Sequence, residues 1–413
     1  MSCNDIFIIA VLILILCGCN TQEKYPTLEV VHLETPTSSS GQSRIVVDSK
    51  GSAYLSWIEY NDSDTFNLQF TQLKDDDTWS SPETISQGDD WFVNWADFPA
   101  LSIFEDGSKA AHWLQMRDIG TYDYDVHIST QSKGQGWNDS FIPHRDSIAA
   151  EHGFVSMVRG GHNEMIISWL DGRHTKSPEA KEKKDDHGHG HHGSMTLRTA
   201  TFNAEGQLAN EQELDHRICD CCQTDMAMTE AGPIVVYRDR SPEEVRDIYI
   251  ARRVNNKWSA PQPIYNDNWQ IYGCPVNGPA AASSGSNVVV VWYTGANDTA
   301  HVKVALSKDN GTNFDLPAVI DEGMPLGRVD VTWFDDKRAI ITWVEKHKDE
   351  AVIKSRWIDV EGDLSPSQTL VETSASRQSG FPIIARDQKG LLLTWTEVDN
   401  GKTVIRTARL KAS

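Results

Sequence analysis

The sequence predicts an all-β protein in which short antiparallel sheets repeat around a ring. Two observations support this prediction. A short apolar run, a turn rich in Gly, Asp or Asn, and a second apolar run ending in an aromatic residue occur together seven times. Within each copy the strands are short and alternate in polarity, and almost no stretch shows the period of a helix. Repeats of this kind are typical of a β-propeller with four-stranded blades.

The aromatic residue that ends the second run marks each repeat. These residues recur at intervals of 51 to 68 positions, as Trp57, Trp113, Trp169, Tyr237, Trp292, Trp343 and Trp395. Each is expected on the second strand of a blade, packed between neighbouring blades. Seven copies predict seven blades, with six as the alternative.

The two ends of the chain are predicted to share one blade. The seventh repeat offers three strands, FPIIARD, LLLTWTEV and TVIRTARL, whereas the run LEVVHLE stands alone before the first repeat. Pairing that run with the last repeat removes the remaining free sheet edge. We therefore expect a single propeller domain over residues 27–413.

The first residues predict where in the cell the protein is located. Residues 6–16, IFIIAVLILIL, form an apolar run that is too short to span a bilayer but fits a signal peptide. The run ends in Leu16-Cys17-Gly18-Cys19, which resembles the bacterial lipobox. The resemblance implies a signal peptide over 1–18, a lipid on Cys19 and a tether over 19–26. An uncleaved membrane anchor or a core strand is the alternative.

These features predict a protein of the bacterial cell envelope, anchored by lipid at a periplasmic or outer-membrane surface, with another envelope protein as a candidate partner. The formal net charge is -21 and the pI is near 5.0. A chain this acidic, without a long basic stretch, is not expected to bind nucleic acid.

The fifth repeat contains Ser307-Lys-Asp309-Asn-Gly311-Thr-Asn-Phe314, which resembles the Asp-box of the sialidase superfamily. The second repeat has a worn copy ending at Trp137. In such a turn, Asn-Gly supplies the positive φ of a tight hairpin and the Asp accepts amide protons. The resemblance implies a sialidase-like propeller. It does not imply activity, because the motif lies on an outer hairpin.

The same resemblance implies a set of catalytic residues that this sequence matches only in part. Sialidases hold a substrate carboxylate with three arginines and use a Tyr–Glu pair with an Asp acid. The segments that precede the innermost strands, here called leading segments, offer Arg44, Asp97, Glu151, Arg328 and Arg377 as catalytic candidates. The sequence identifies no Tyr–Glu pair, and whether the protein is an enzyme stays open.

Arginines in the loops after the second strands predict a ligand. Leading segments and these loops emerge on one face of the ring, here called the mouth face, where loops commonly carry function. Guanidinium groups there suit a carboxylate or sulfate, so an anionic small molecule or an acidic glycan is expected. The alternative is that they pair with neighbouring acids. The candidate ligand-binding residues are Arg117, Arg173, Arg238 and Arg240.

The leading segments of the fourth and fifth repeats contain four thiols, Cys219, Cys221, Cys222 and Cys274. An oxidising envelope favours two disulfides, with Cys219 to Cys222 and Cys221 to Cys274 as one pairing. Alternatively, the four sulfurs converge into a cage suited to copper or zinc. Histidines extend the candidate metal ligands: His152 and a glycine-interleaved tract with His187, His189, His191 and His192.

Two functions therefore stand side by side. The first is an envelope lipoprotein whose propeller presents an Arg-rich and Cys/His-rich face for a ligand or a transition metal. The second is a sialidase-like glycoside hydrolase or lyase acting on an acidic sugar.

Overall fold

The computed structural model describes residues 24–61, 65–161, 163–176 and 193–412. Within these ranges the strands form seven antiparallel sheets, which confirms the predicted all-β propeller with seven blades. Helical structure among these residues is limited to two single 3-10 turns, Ala296–Asp298 and Arg377–Ser379, and no helix is long and apolar enough to cross a membrane. The predicted lipidation site and the histidine tract lie outside the described residues.

Each blade is a meander whose strands follow the chain from the centre of the ring to its edge. The first described strand is β1 (Leu28–Leu33). Blade 1 consists of β2 (Ser40–Val47), β3 (Ala53–Tyr60), β4 (Phe66–Gln72) and β5 (Glu83–Gly88), and blade 2 of β6 (Ala100–Ile103), β7 (Lys109–Met116) and β8 (Tyr124–Gln131). Blade 3 consists of β9 (His152–Arg159), β10 (Met165–Asp171), β11 (Met195–Phe202) and β12 (Leu208–Ile218), and blade 4 of β13 (Asp225–Thr229), β14 (Gly232–Arg238), β15 (Ile248–Val254), β16 (Lys257–Trp258) and β17 (Gln262–Pro263).

Blade 2 has three strands, and an isolated bridge between Ile128 and Phe141 takes the place of its outer strand. Blade 5 consists of β18 (Ala280–Ser284), β19 (Asn287–Thr294), β20 (His301–Ser307) and β21 (Ala318–Val319), and blade 6 of β22 (Pro325–Trp333), β23 (Arg338–His347), β24 (Glu350–Asp359) and β25 (Gln368–Thr373). Blade 7 contains β26 (Ile383–Asp387), β27 (Gly390–Asp399) and β28 (Lys402–Ala412).

The ring closes as the sequence predicted. Strand β1 pairs antiparallel with β28, from Leu28 opposite Ala412 to Leu33 opposite Thr407. The N-terminal run is thus the outer strand of blade 7, and it pairs the edge of β28 that the last repeat would otherwise leave free.

The apolar core lies between blades. Seven clusters of buried residues among the described part of the chain each join two neighbouring blades, and the repeated aromatic lies buried on the second strand. The indole N–H of Trp57, for example, donates to Glu59 at 2.9 Å, and that of Trp343 donates to Glu345 at 2.7 Å. An acid two residues after the tryptophan thus satisfies a buried donor.

The Asp-box turn of blade 5 has the predicted geometry. Asn310 and Gly311 have φ of 59° and 74°. The Asp309 carboxylate accepts the backbone N–H groups of Thr312 at 3.1 Å and Asn313 at 2.9 Å. Phe314 packs against the apolar cluster between blades 4 and 5. These contacts are structural and lie away from the mouth face.

Candidate functional site

The four cysteines meet on the mouth face, at the boundary of blades 4 and 5. The Cys219 sulfur lies 3.4 Å from that of Cys222 and 3.9 Å from that of Cys221. Cys274 lies near Cys221, in the leading segment of blade 5, but its sulfur is not one of the three that lie within 4.8 Å of one another. Cys219 and Cys222 are buried, whereas Cys274 is exposed. We call these four residues the thiol cluster.

The predicted disulfides are absent from the described residues. All four cysteines are free thiols. A disulfide requires sulfurs about 2.05 Å apart, and the separations of 3.4 and 3.9 Å exceed this by far. The closely spaced backbone of the turn brings the sulfurs into contact without bonding them.

Basic side chains surround the thiol cluster. The Arg246 Nη1 donates to the Cys219 sulfur at 3.3 Å, and Arg240 donates to both carboxylate oxygens of Asp220 at 3.0 and 3.1 Å. Burial raises the pKa of Cys222, but hydrogen bonds with Cys219 and Cys221 outweigh it and hold that pKa well below its usual value. Its neighbours shift the other way: burial raises the pKa of Cys219, and hydrogen bonds with the other cysteines raise the pKa of Cys221.

His152 does not join the thiol cluster, because the structure places it between blades 2 and 3, and its role as a metal ligand stays a prediction. Its ring stacks on that of His144, with centroids 3.7 Å apart. Both rings are buried among three carboxylates, Asp125, Asp146 and Asp171. The side chain turns inward between blades 2 and 3, away from the boundary of blades 4 and 5.

The predicted arginines of the leading segments gather around an aromatic cluster. The guanidinium groups of Arg328 and Arg377 lie 5.3 and 5.8 Å from the ring centroid of Trp95. Trp95 stacks on Phe381, which also contacts Phe98. Arg44 lies 4.8 Å from the Phe98 ring. The three arginines, which come from blades 6, 7 and 1, thus belong to one connected patch.

Arg328 lacks a carboxylate partner among the described residues. Its Nη1 donates to the carbonyl of Ser376 at 3.0 Å and to the hydroxyl of Ser379 at 2.6 Å. Burial, together with the charge of Arg377, lowers the pKa of Arg328 to about 10. An anion bound here would relieve both effects.

The four arginines predicted to bind a ligand all have partners within the protein, as the alternative to ligand binding requires. Arg117 contacts Asp125 at 3.3 Å, and Arg173 holds Asp171 at 2.7 Å. Arg240 pairs with Asp220 and Glu244, and the buried Arg238 donates only to backbone carbonyls. Their contacts give no support to a role in ligand binding.

The axis of the ring is narrow. The buried Asp97 and the half-buried Asp225 and Asp330 line a cavity of about 40 Å³ with Arg44. Each carboxylate accepts a backbone N–H from the innermost strand of the next blade, at 2.7 to 2.8 Å. These aspartates tie blades together. The cavity has room for a few water molecules but not for a sugar ring.

A Tyr–Glu pair that sequence reasoning missed lies beside this cavity. The Tyr124 hydroxyl is 2.9 Å from Glu151 Oε1 and 3.0 Å from Asp97 Oδ2. Burial raises the pKa of Asp97 to about 7. Tyr124 is fully buried and stacks on Phe92 with ring centroids 4.0 Å apart. No motif marks Tyr124, because its partners come from other repeats and leading segments.

No protein-family model matches the chain, and no curated protein matches it. Among solved structures, a protein of unknown function from Dyadobacter fermentans is 13% identical with a TM-score of 0.53, covering 94% of this chain and 99% of its own. The polysaccharide lyase Uly1 is 9% identical with a TM-score of 0.50, over 92% and 90% of the two chains.

Sialidases also share the fold. A mutant of NanB sialidase from Streptococcus pneumoniae is 10% identical with a TM-score of 0.46, over 94% of this chain and 70% of its own. The predicted resemblance is confirmed for the propeller fold alone, by the seven antiparallel sheets of this chain. At such low identities, these likenesses carry no statement about substrate or activity.

Proposed function

We propose that this protein binds a soft transition-metal ion, copper(I) or zinc, through the thiol cluster on its mouth face. One observation carries the proposal. The sulfurs of Cys219, Cys221 and Cys222 lie within 4.8 Å of one another, and Cys274 approaches Cys221 from the next blade. Thiolates are soft ligands, and they select copper(I) and zinc over harder metal ions.

The spacing of the sulfurs supports a metal rather than a redox pair. With Zn–S bonds of about 2.3 Å, the edge of a coordination tetrahedron is about 3.8 Å. The separations of 3.4 Å for Cys219 to Cys222 and 3.9 Å for Cys219 to Cys221 lie on either side of that value. An ion therefore needs only small movements of the sulfurs.

The surroundings favour a cage of several thiolates. Negative charge accumulates when more than one cysteine is deprotonated, and the buried guanidinium of Arg246 beside Cys219 offsets part of it. Hydrogen bonds to ligand atoms also fix their direction and tune the ion. The exposed Cys274 leaves a route for the ion to enter or leave.

Elemental analysis and thiol counting test the proposal. The chain from residue 20 onward, which lacks the signal peptide and Cys19, is expected to bind about one zinc or copper(I) ion with four reduced thiols. Cys219→Ser/Cys222→Ser removes the buried ligands and is expected to abolish binding, whereas Cys274→Ser is expected to weaken it. All variants carry glutamine at four tract positions, so that the tract adds no ions: His187, His189, His191 and His192.

Two outcomes contradict the proposal. Two disulfides and no metal in the purified protein would restore the redox alternative. Undiminished binding in the double serine variant would put the ion elsewhere. Unchanged thermal unfolding of that variant without metal would exclude loss of the fold as the cause.

Attachment to a membrane is part of the same proposal. A lipid on Cys19 holds the propeller at a periplasmic or outer-membrane surface, where the thiol cluster can exchange its ion with another envelope protein. Cys19→Ala is expected to move the protein to the soluble fraction, whereas the control Cys17→Ala leaves it with membranes. Equal membrane association of both variants would favour the uncleaved anchor.

A hydrolase or lyase for acidic sugars is the second candidate. It is favoured by Arg328 and Arg377, which have no carboxylate partner among the described residues, and by the Tyr124–Glu151 pair. The full burial of Tyr124 and the cavity of about 40 Å³ weigh against it. Turnover of a sialoside or uronide reporter that disappears in Arg377→Ala would establish this candidate.

A further inference from the structure

A buried histidine between blades 2 and 3 has no hydrogen-bond partner. His144 is 4% exposed, and neither of its ring nitrogens makes a hydrogen bond. Its ring lies parallel to that of His152, with an interplanar angle of 2°. A buried polar group left unpaired costs about 1–3 kcal/mol. The imidazole is therefore placed for a partner other than a protein donor or acceptor.

One carboxylate oxygen faces both rings. The Oδ1 of Asp125 lies 3.6 Å from His144 Nε2 and 3.6 Å from His152 Nδ1. The three ligand atoms lie within 4.8 Å of one another, and all three side chains are buried. The carbonyl oxygen of Ala150 lies 3.1 Å from the same nitrogen of His152. Two nitrogens and one carboxylate oxygen thus lie close together, with a backbone carbonyl oxygen beside one of the nitrogens.

We propose that Asp125, His144 and His152 hold a divalent first-row metal ion at a second site, independent of the thiol cluster. With metal–ligand bonds of about 2.1 Å, a coordination tetrahedron has edges of about 3.4 Å. The two separations of 3.6 Å come close to this value. Imidazole and carboxylate ligands suit zinc, cobalt, nickel or iron rather than the soft copper(I) ion.

The far side of the two rings is arranged as a support for such a site. The Oδ2 of Asp146 lies 3.1 Å from His152 Nε2 and 3.7 Å from His144 Nδ1, and Arg173 holds it at 3.2 Å. A histidine that donates one N–H to a carboxylate presents the lone pair of its other nitrogen to a metal. Arg117 steadies Asp125 in the same way, at 3.3 Å.

Metal binding also has a structural consequence. An imidazole lone pair lies in the plane of its ring, so two parallel rings cannot both direct their lone pairs at one ion between them. Occupation of the site therefore turns His144 and His152 out of parallel. A proton competes with the metal ion for His152. The protonated ring would donate one N–H to the Ala150 carbonyl and the other to the Asp146 carboxylate, and neither ring would have to move.

Cobalt(II) binding tests this site separately from the thiol cluster. The background variant carries Cys219→Ser/Cys222→Ser and glutamine in place of the four tract histidines. It is expected to bind about one cobalt ion, with visible d–d absorption and without the near-ultraviolet band of thiolate coordination. His144→Gln and Asp125→Asn are each expected to abolish this absorption. Asp146→Asn, which removes a supporting group, is expected to weaken binding about 10–100-fold.

His127→Gln is the matched control. His127 lies on the same strand as Asp125, outside the cluster, where it contacts Ser140 at 3.0 Å. It is expected to bind cobalt as the background does. Failure of the background to bind cobalt or zinc, or undiminished binding in both His144→Gln and Asp125→Asn, would overturn the proposal. A failure of the thiol cluster would instead show as a missing charge-transfer band in the chain with intact cysteines.

Discussion

Replacement of Arg238 distinguishes a structural tie from a ligand-binding group. The side chain is 2% exposed, and its Nη2 donates to the carbonyls of Asn277 at 2.8 Å and Tyr293 at 2.7 Å. Its Nη1 donates to the carbonyl of Arg246 at 2.6 Å. Arg238 thereby joins blade 4 to the segment that follows Cys274. We expect its loss to destabilise the fold.

The size of the effect follows from these contacts. Arg238→Met keeps much of the aliphatic volume but leaves three buried carbonyl oxygens without their charged donor. Each such loss costs about 1–3 kcal/mol. Removal of a buried guanidinium returns part of that cost, because the charge no longer has to be desolvated. We therefore expect the free energy of unfolding to fall by about 3 kcal/mol.

Equilibrium unfolding in urea, followed by tryptophan fluorescence, measures this change. Arg377→Met is the matched control, since Arg377 is exposed and makes no ion pair with the described residues. Its free energy of unfolding is expected to stay within about 0.5 kcal/mol of wild type. A similarly small change in Arg238→Met would refute the structural tie and return Arg238 to the candidate ligand-binding residues.

Two further predictions concern the acids near the axis. Tyr124→Phe removes the hydroxyl shared by Asp97 and Glu151, so the free energy of unfolding in urea should fall by about 1–3 kcal/mol; unchanged stability with lost glycosidase turnover would instead indicate a nucleophile. Burial raises the pKa of Asp330 to about 7, so the folded state retains a proton that the unfolded state releases, and this contribution to stability disappears as the pH rises from about 4 to about 7. Asp330→Asn should therefore lower the melting temperature more at about pH 5 than at about pH 8, and an equal loss at both would contradict the shift.

The fold could be predicted from the sequence because its determinants are local and repeated. The second-strand aromatic, such as Trp57 or Trp343, and the turn residues Asn310 and Gly311 act within one repeat. The closing pair of β1 and β28 was predictable because the last repeat was one strand short. The order of the leading segments also predicted that Cys274 lies beside the cysteines of blade 4.

The side-chain partners could not be predicted in this way. Leading segments are irregular, so their position in the sequence does not give the direction of a side chain. His152 is the first residue of an innermost strand, close in sequence position to where the cysteines stand in blade 4, yet it turns inward to stack on His144. The pair of Tyr124 and Glu151 joins two blades and leaves no mark within either repeat. Internal pairing of Arg173 with Asp171 depends equally on three-dimensional contacts.

The thiol cluster is held in place by bonds that do not involve sulfur. The Cys219 N–H donates to the Arg238 carbonyl at 3.0 Å. At the other end of the turn, the Gln223 amide donates to the carbonyl of Ala96 at 2.6 Å and accepts the N–H of Gly278 at 2.9 Å. The turn is thus fixed to blades 2 and 5 before any ion binds. Metal affinity at this site then comes from a prearranged set of sulfurs, unlike that of small zinc domains, whose binding energy must also fold the chain.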